Sequence, residues 1–194
     1  MTARLVLEPL RVDHAAEMVA VLASPALYAV TGGEPPSLAE LTVRYARQTA
    51  GPSGLSEPAP DEPALDEPAL DEAAPDEAAP DQAAPDQAAE RWCNWVLREG
   101  DALVGYVQAT VTLAGPSTAA LAWLVRPQEQ GRGLAVEAAA AMAAHLRETG
   151  VDALTAWIAD HHPASQAVAR RLGLRPTERL DDDGERCWVG LTAG

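Results

Sequence analysis

Apolar and polar residues alternate in two ways along this chain, and the two patterns predict strands and helices in a definite order. A repeat of about two residues places side chains on opposite faces of a strand, whereas a repeat of about 3.6 residues aligns them along one face of a helix. The first pattern, with short apolar runs, predicts strands at residues 4–10, 92–98, 102–113, 119–125, 153–159, 174–180 and 186–191.

The helical pattern occupies four other segments, at residues 13–23, 37–48, 134–146 and 163–172. Asp13 is expected to cap the first helix, because its carboxylate can accept from a free N–H group. The apolar face of that helix is expected to comprise Ala16, Met18, Val19 and Leu22. Ser37 and Glu40 have the spacing of a capping box at the start of the second helix. Gly150 and Gly173 are expected to end the third and fourth helices.

The stretch from Arg126 to Ala138 reads R-P-Q-E-Q-G-R-G-L-A-V-E-A and joins the apolar run 119–125 to the Ala-rich helix. Gly131 and Gly133 allow the backbone to approach a ligand closely, and the unpaired N–H groups of a first helical turn favour an anion. The spacing fits neither the dinucleotide-binding nor the P-loop fingerprint. A strand, a glycine turn and a helix start therefore predict a site for a different phosphate-bearing ligand.

Two motifs resemble those of the GNAT acetyltransferase superfamily. Gln128-x-x-Gly131-x-Gly133 is similar to its coenzyme A pyrophosphate loop, Q/R-x-x-G-x-G/A. The segment D-H-H-P-A-S at 160–165, before a helix that ends R-L-G-L, is similar to its Asn/His-x-x-Ser step. The predicted order, β-α-α-β-β-β-α-β-α-β-β, is also that of the superfamily. The G-G-E-P-P loop at 32–36 and the R-L-G-L ending look most like the ribosomal-protein alanine acetyltransferase, or Rim-type, group.

The resemblance implies an α+β GNAT fold, with a mixed, mostly antiparallel sheet of about seven strands flanked by helices. It also implies acetyl-CoA as co-substrate, with its pantetheine arm on main-chain groups of Leu124, Val125 and Arg126. The pyrophosphate would be held by the main chain of Gln130, Gly131, Arg132, Gly133, Leu134 and Ala135. Tyr28 and Glu34 lie in the loop that flanks the acceptor side in this fold, which makes them candidate substrate contacts.

The proton-transfer groups common in the superfamily are missing from their usual positions. The stretch T-A-A-L-A-W-L at 118–124 contains no carboxylate, and none of the three tyrosines lies near the last short helix. The catalytic candidates are therefore His162, His161 and Ser165, because a histidine titrates near neutral pH and can relay a proton. Either histidine can instead cap the last helix or lie in solvent, and Ser165 can instead be an N-cap.

Composition excludes several classes of protein. The chain has no 18-residue apolar run to span a membrane, and its first residues predict a strand instead of a signal peptide. We therefore expect a cytoplasmic protein with two reduced cysteines, and no Cys or His spacing suggests a metal. Outside the segment 56–90, 17 acidic and 14 basic residues form no basic stripe for nucleic acid. The expected state is a monomer or homodimer.

Residues 56–90 form an acidic insertion in an otherwise single domain spanning 1–194. It repeats units such as D-E-P-A-L and D-E-A-A-P with a period of five, and it holds 12 acidic and no basic residues. A period of five matches neither a helix nor a strand, while proline and like charges oppose compact structure. We expect a disordered surface loop that is either a spacer or an arm that binds a cationic partner.

These observations leave three hypotheses about function. The first is an acetyl-CoA-dependent N-acetyltransferase that acts on a primary amine, either a peptide N-terminus or a small molecule. The second is a degenerate acyl-CoA-binding module without catalysis, which the missing proton-transfer groups suggest. The third is an interaction protein that acts through its acidic repeat.

Deletion of residues 56–89, joined by a short Gly-Ser linker, should leave folding almost unchanged, because this composition cannot build a core. Thermal unfolding should show a midpoint within a few degrees of the parent chain. A large loss of stability, or amide protection throughout the repeat, would contradict the prediction.

Overall fold

A computed structural model describes residues 2–28, 33–52, 90–113 and 115–192, so the acidic repeat, apart from Glu90, lies outside the described residues. Seven strands are β1 (Val6–Pro9), β2 (Glu90–Glu99), β3 (Ala102–Thr112), β4 (Thr118–Val125), β5 (Ala153–Ile158), β6 (Arg175–Leu180) and β7 (Arg186–Leu191). Four α-helices of the described chain are α1 (Ala15–Leu22), α2 (Leu38–Ala50), α3 (Leu134–Glu148) and α4 (Pro163–Arg171). Their order is the predicted one, and each end lies within two residues of its predicted position.

The seven strands form one sheet in the order β1-β2-β3-β4-β5-β7-β6. Every neighbouring pair is antiparallel except β4 and β5, which run parallel because α3 crosses between them. The α+β architecture with a mostly antiparallel sheet is therefore confirmed.

Helices cover both faces of the sheet, because alternate strand residues are apolar on each face. The larger core lies on the α3–α4 face and includes Val107, Leu134, Met142, Leu146 and Trp188. The smaller core lies on the α1–α2 face and includes Met18, Leu22, Leu41, Tyr45 and Val96. Side chains of β3 and β4 contribute to both faces, and this pair of strands therefore forms the centre of the fold.

The capping interactions are as predicted for α2 and α3. The Glu40 N–H donates to Ser37 Oγ (3.3 Å), and the Ser37 N–H donates to Glu40 Oε2 (2.8 Å), which is a complete capping box. Gly150 adopts φ +84° just past α3, and the Val151 N–H donates to Leu146 O (3.1 Å). The glycine thus closes α3 by the expected left-handed turn.

The prediction that Asp13 caps α1 is wrong. Asp13 lies in a short 3-10 turn before the helix, and its carboxylate accepts from Arg11 Nε (3.0 Å). The Arg11 N–H instead donates to Nδ1 of the buried His14 (3.1 Å), so the imidazole organises this helix start. The predicted apolar face is wrong in part, since Ala16 is exposed and Val19 is only half-buried. The buried face consists of Ala15, Met18, Val21 and Leu22.

The parallel strands β4 and β5 are paired over three positions only. The pairs are Thr118 with Ala153, Ala119 with Leu154 and Ala120 with Thr155. Beyond them β4 continues to Val125 and β5 continues to Ile158 without further pairing between the two strands. The carboxyl ends of β4 and β5 therefore separate, and a gap opens through the sheet.

On its other side, the end of β4 is held against β3 by a close backbone contact. A Cβ atom added to Gly105 would lie 2.0 Å from the Leu124 carbonyl oxygen, a distance that no side chain tolerates. The Arg126 N–H also donates to Val104 O (2.9 Å). Glycine at position 105 thus allows the end of β4 to stay paired with β3 where β4 separates from β5.

Gly105→Ala should destabilise the fold by about 1–3 kcal/mol, because the added methyl group must push the backbone of β4 away. Urea unfolding measures the loss, and Gly190→Ala is the matched control. The methyl group at position 190 would meet a flexible atom, Leu174 Cδ2, at 2.7 Å, so the control should lose less stability. Equal losses in the two variants would contradict the backbone contact as the cause.

Candidate functional site

A cleft of about 900 Å³ lies where β4 and β5 separate, and it is lined from both faces of the sheet. Tyr106 and Leu124 pack on the α1–α2 side, whereas Trp123, Leu134 and Val168 belong to the α3–α4 side. Because the cleft passes between two strands, it can admit two ligands from opposite faces and bring them together in the gap.

The loop between β4 and α3 has the properties of an anion site. Gly131 and Gly133 adopt φ +75° and +81°, in the left-handed region where a side chain would be strained. Within the described chain, the N–H groups of residues 131–136 have no hydrogen-bond acceptor, whereas the N–H of Gln130, also predicted to bind the pyrophosphate, donates to Pro127 O (3.2 Å) and that of Glu137 donates to Gly133 O (3.1 Å). Leu134 and Ala135 line the cleft directly beside them. Six free N–H groups at a helix start favour a pyrophosphate.

The positive charge of Arg132, the arginine of this loop, is already paired with carboxylates of the protein. Arg132 donates to both oxygens of Glu99 (2.7 and 2.8 Å) and also contacts Glu129. Arg126 donates to Glu129 as well (2.8 Å), and the two guanidinium groups hold the pKa of this carboxyl below its usual value. The charge of Arg132 is thus largely offset within the protein.

A second set of contacts ties the amino-terminal segment to the same loop. Arg4 Nη1 donates to the Arg132 carbonyl oxygen (2.9 Å), and Arg4 Nε donates to Glu137 Oε2 (2.7 Å). Thr2 Oγ1 also donates to Glu137 Oε1 (2.6 Å). These hydrogen bonds fix the backbone of the loop relative to the first turn of α3.

Only some of the main-chain groups of Leu124, Val125 and Arg126, the residues predicted to hold the pantetheine arm, face the gap. The Arg126 N–H is bound by Val104 O, its carbonyl accepts from the Glu129 N–H (3.0 Å), and the Val125 carbonyl accepts from Gln130 Nε2 (2.9 Å). Along a strand, the main-chain N–H and C=O groups of successive residues point to opposite edges. The N–H and C=O groups of Leu124 therefore face β3, and the Val125 N–H faces the gap. By the same alternation, Trp123 also directs its main chain there, which sequence analysis missed.

His162 and Ser165 line the cleft next to one another, whereas His161 is exposed outside it. His162 is the N-cap of α4, and its Nδ1 accepts from the Ser165 N–H (3.1 Å). A neutral imidazole that accepts at Nδ1 carries its proton on Nε2. In this arrangement His162 can donate a hydrogen bond but must give up the cap to accept a proton.

Glu185 is a cleft residue that sequence analysis did not identify. It follows the turn at 181–184, is half-buried, and its N–H donates to Asp181 Oδ1 (2.8 Å). Burial, followed by the charges of Asp181 and Asp183, raises the pKa of its carboxyl, while His161 opposes the shift. The pairing of Arg186 with Ile158 places Glu185 beside the end of β5. Only this register, which the sequence does not reveal, brings the carboxylate to the gap.

The predicted acceptor contacts occupy different places. Tyr28 lines the cleft, with its hydroxyl donating to Leu22 O (3.1 Å). Glu34 is exposed and lies outside the cleft, at a small pocket of about 370 Å³ that Tyr28 and Pro35 also line. Three further residues on the acceptor-side wall were missed in the sequence, namely Arg44, Tyr45 and Tyr106.

Other candidate chemistry is limited. Within the described ranges, no cluster of three His, Cys, Asp or Glu side chains could hold a metal ion. Cys93 and Cys187 are free thiols. A helix long and apolar enough to cross a membrane does not occur in the described part of the chain.

Comparisons with known proteins agree with this geometry. An acetyltransferase from Thermus thermophilus is 22% identical, with a TM-score of 0.64 and coverage of 98% of this chain and 99% of that chain. The aminoglycoside acetyltransferase AAC(6')-Ib in complex with coenzyme A is 13% identical, with a TM-score of 0.64 and coverage of 96% and 94%. A spermidine N-acetyltransferase chimera from Vibrio cholerae and hSSAT is 13% identical, with a TM-score of 0.63 and coverage of 98% and 96%.

At these identities the solved structures show a shared fold, and a search of curated protein sequences finds no significant match. The family model described as "Acetyltransferase (GNAT) domain" matches residues 4–175, which is most of the chain. With its separated strands and its glycine loop at the start of α3, the chain belongs to the GNAT acetyltransferase domain family.

Proposed function

We propose that this protein is an acetyl-CoA-dependent N-acetyltransferase that moves an acetyl group to a primary amine by direct attack. The acceptor is either a peptide N-terminus, as in the Rim-type group that the sequence motifs resemble, or a small molecule. The observation that carries the proposal is the free N–H array of residues 131–136 beside the gap between β4 and β5. It provides a phosphate site next to a passage through the sheet.

In the proposed complex the coenzyme A pyrophosphate lies on the N–H groups of Gly131 to Ala135. The pantetheine arm then follows the open edge of β4, where the main chain of Trp123 and the Val125 N–H face the gap. The Val125 N–H is the donor for the thioester carbonyl oxygen, and it stabilises the negative charge that develops there during attack. Much of the rate enhancement comes from holding the amine and the carbonyl in line.

Proton transfer requires one acceptor and one donor. Glu185 accepts a proton from the ammonium group of the substrate, directly or through a water molecule, because its raised pKa brings it nearer to working pH. The free amine attacks the carbonyl carbon, the carbon–sulfur bond breaks, and the second proton that the nitrogen loses on forming the amide passes to the leaving thiolate. His162, through Nε2–H, and Ser165, through its hydroxyl, are the groups of the cleft wall that can donate hydrogen bonds to the thiolate as it leaves. Glu185 thus supplies the carboxylate that β4 lacks.

Gly131→Asp should weaken coenzyme A binding at least about tenfold, because the new carboxylate would repel the pyrophosphate. Isothermal titration calorimetry measures the affinity. Gly150→Asp is the matched control, since Gly150 also has a positive φ and open space around it but closes the far end of α3. Both folded variants should lose similar stability, and only the first should lose affinity. Unchanged affinity in folded Gly131→Asp would contradict the phosphate site.

The rate should rise with pH through a midpoint above the ordinary glutamate value of about 4.3, because only ionised Glu185 accepts a proton. Glu185→Gln should lower kcat by about 10²–10⁴-fold and abolish the rise. Asp183→Asn, the control, should shift the midpoint to lower pH with little loss of kcat, since the Asp183 charge raises the pKa of Glu185.

The alternative assignment of the proton acceptor is tested in the same series. His162→Asn removes the imidazole but retains a good N-cap for α4. A pH-dependent rise that persists in Glu185→Gln and disappears in His162→Asn would transfer the role of proton acceptor to the histidine.

A further inference from the structure

The acceptor half of the cleft, on the α1–α2 face of the sheet, is an aromatic and apolar chamber. Tyr28, Tyr45 and Tyr106 line it, together with apolar side chains such as Leu22 and Leu41. This surface is suited to an acceptor with an apolar or aromatic body, because burial of such surface on binding is favourable by about 25 cal/mol per Å².

Two of the three phenols have no hydrogen-bond partner among the described residues. Tyr28 donates to Leu22 O, but the hydroxyls of Tyr45 and Tyr106 form no such bond. Tyr45 is only 5% exposed. Both residues line the cleft, where their hydroxyls can donate to a ligand.

Arg44 is the unpaired cation of this chamber. It is exposed at the cleft edge, and no carboxylate in the described part of the chain forms an ion pair with it. Burial raises the pKa of all three tyrosines, and the charge of Arg44 opposes that shift in each, which places Arg44 within electrostatic reach of them. By contrast, Arg126 and Arg132 on the coenzyme side are both bound by Glu129.

Among the described residues, the carboxylates that line the cleft form no ion pair with Arg44, and the nearby Glu40, whose charge reaches Arg44, is held by Ser37 in the capping box. Within the described ranges, Glu129 and Glu185 are the carboxylates that line it. Glu129 is already bound to two arginines, and Glu185 lies across the gap beside the end of β5. An acceptor with several ammonium groups would therefore place uncompensated positive charge near Arg44, whereas an acceptor with an anionic group would be attracted.

We propose that the acceptor is a primary amine with an apolar or aromatic body and a carboxylate, such as an amino acid or a short peptide acid. The carboxylate binds Arg44 in a charge-assisted hydrogen bond, with the hydroxyls of Tyr45 and Tyr106 as further donors. The amine then points into the gap. This inference rests on the N-acetyltransferase function proposed above and names the class of its substrate.

The test compares the dipeptide phenylalanylglycine with its carboxamide, which differ in the carboxylate alone, and adds spermidine as a polycation. Thiol release from acetyl-CoA gives kcat/KM for each amine with the full chain. The kcat/KM for the acid should exceed that for the amide at least about tenfold, because the amide lacks one charge-assisted hydrogen bond, and spermidine should have the lowest kcat/KM.

Three variants test which residues carry the preference. Arg44→Gln should remove the acid-over-amide preference while coenzyme A affinity stays unchanged. Arg47→Gln removes the same charge from the same helix, but Arg47 stacks over Trp92 outside the cleft, so this control should keep the preference. Tyr45→Phe should raise KM for the acid more than for the amide.

The outcomes separate the two levels of the proposal. Equal or faster turnover of the amide or of spermidine, or a preference that persists in folded Arg44→Gln, would overturn the acceptor class and leave the N-acetyltransferase function intact. Thiol release with none of the amines, in a protein that binds acetyl-CoA, would overturn the proposed function and the acceptor class with it.

Discussion

The separation of β4 from β5 is the constraint on which the rest of this structure depends. Two parallel strands that pair at three positions and then diverge leave main-chain groups on both edges without partners. Unpaired main-chain groups destabilise a closed core. Beside a ligand-binding cleft they are useful, because an extended ligand can form the missing hydrogen bonds. The close approach of β4 to β3 at Gly105 makes the separation possible, since it fixes one strand while the other turns away.

The cleft on either side of that gap has two different chemistries. On the side of the glycine loop, the start of α3 supplies N–H groups without partners among the described residues, and the nearby guanidinium groups form ion pairs with glutamates. On the acceptor side, three phenols face the space, together with Arg44, which forms no ion pair within the described residues. Glu185 and His162 lie between the two halves, beside the end of β5. In the proposed function, the cleft thus separates binding of the acyl donor from recognition of the amine.

The order of the elements could be predicted from the sequence because strand and helix periodicities are local. The glycine loop could be identified because the residues that define it are adjacent in the chain. The Asp13 cap was wrong because a buried imidazole, His14, took over the helix start, and burial depends on the whole fold. Glu185 was missed because its turn, D-D-D-G, has the composition of a solvated hairpin. Arg44 and Tyr45 were missed because a helical period alone does not show which surface α2 covers. The candidate residues at the start of α3 were thus visible in the sequence, and those assembled by register and packing were not.

The paired charges of the glycine loop have a consequence for how the coenzyme arrives. With Arg132 shared between Glu99 and Glu129, and Arg4 bound to Glu137, this end of the molecule has little positive potential to extend into solvent. A polyanionic coenzyme is then not drawn in from beyond a Debye length, about 8 Å at physiological ionic strength. Capture therefore depends on short, directional contacts after encounter.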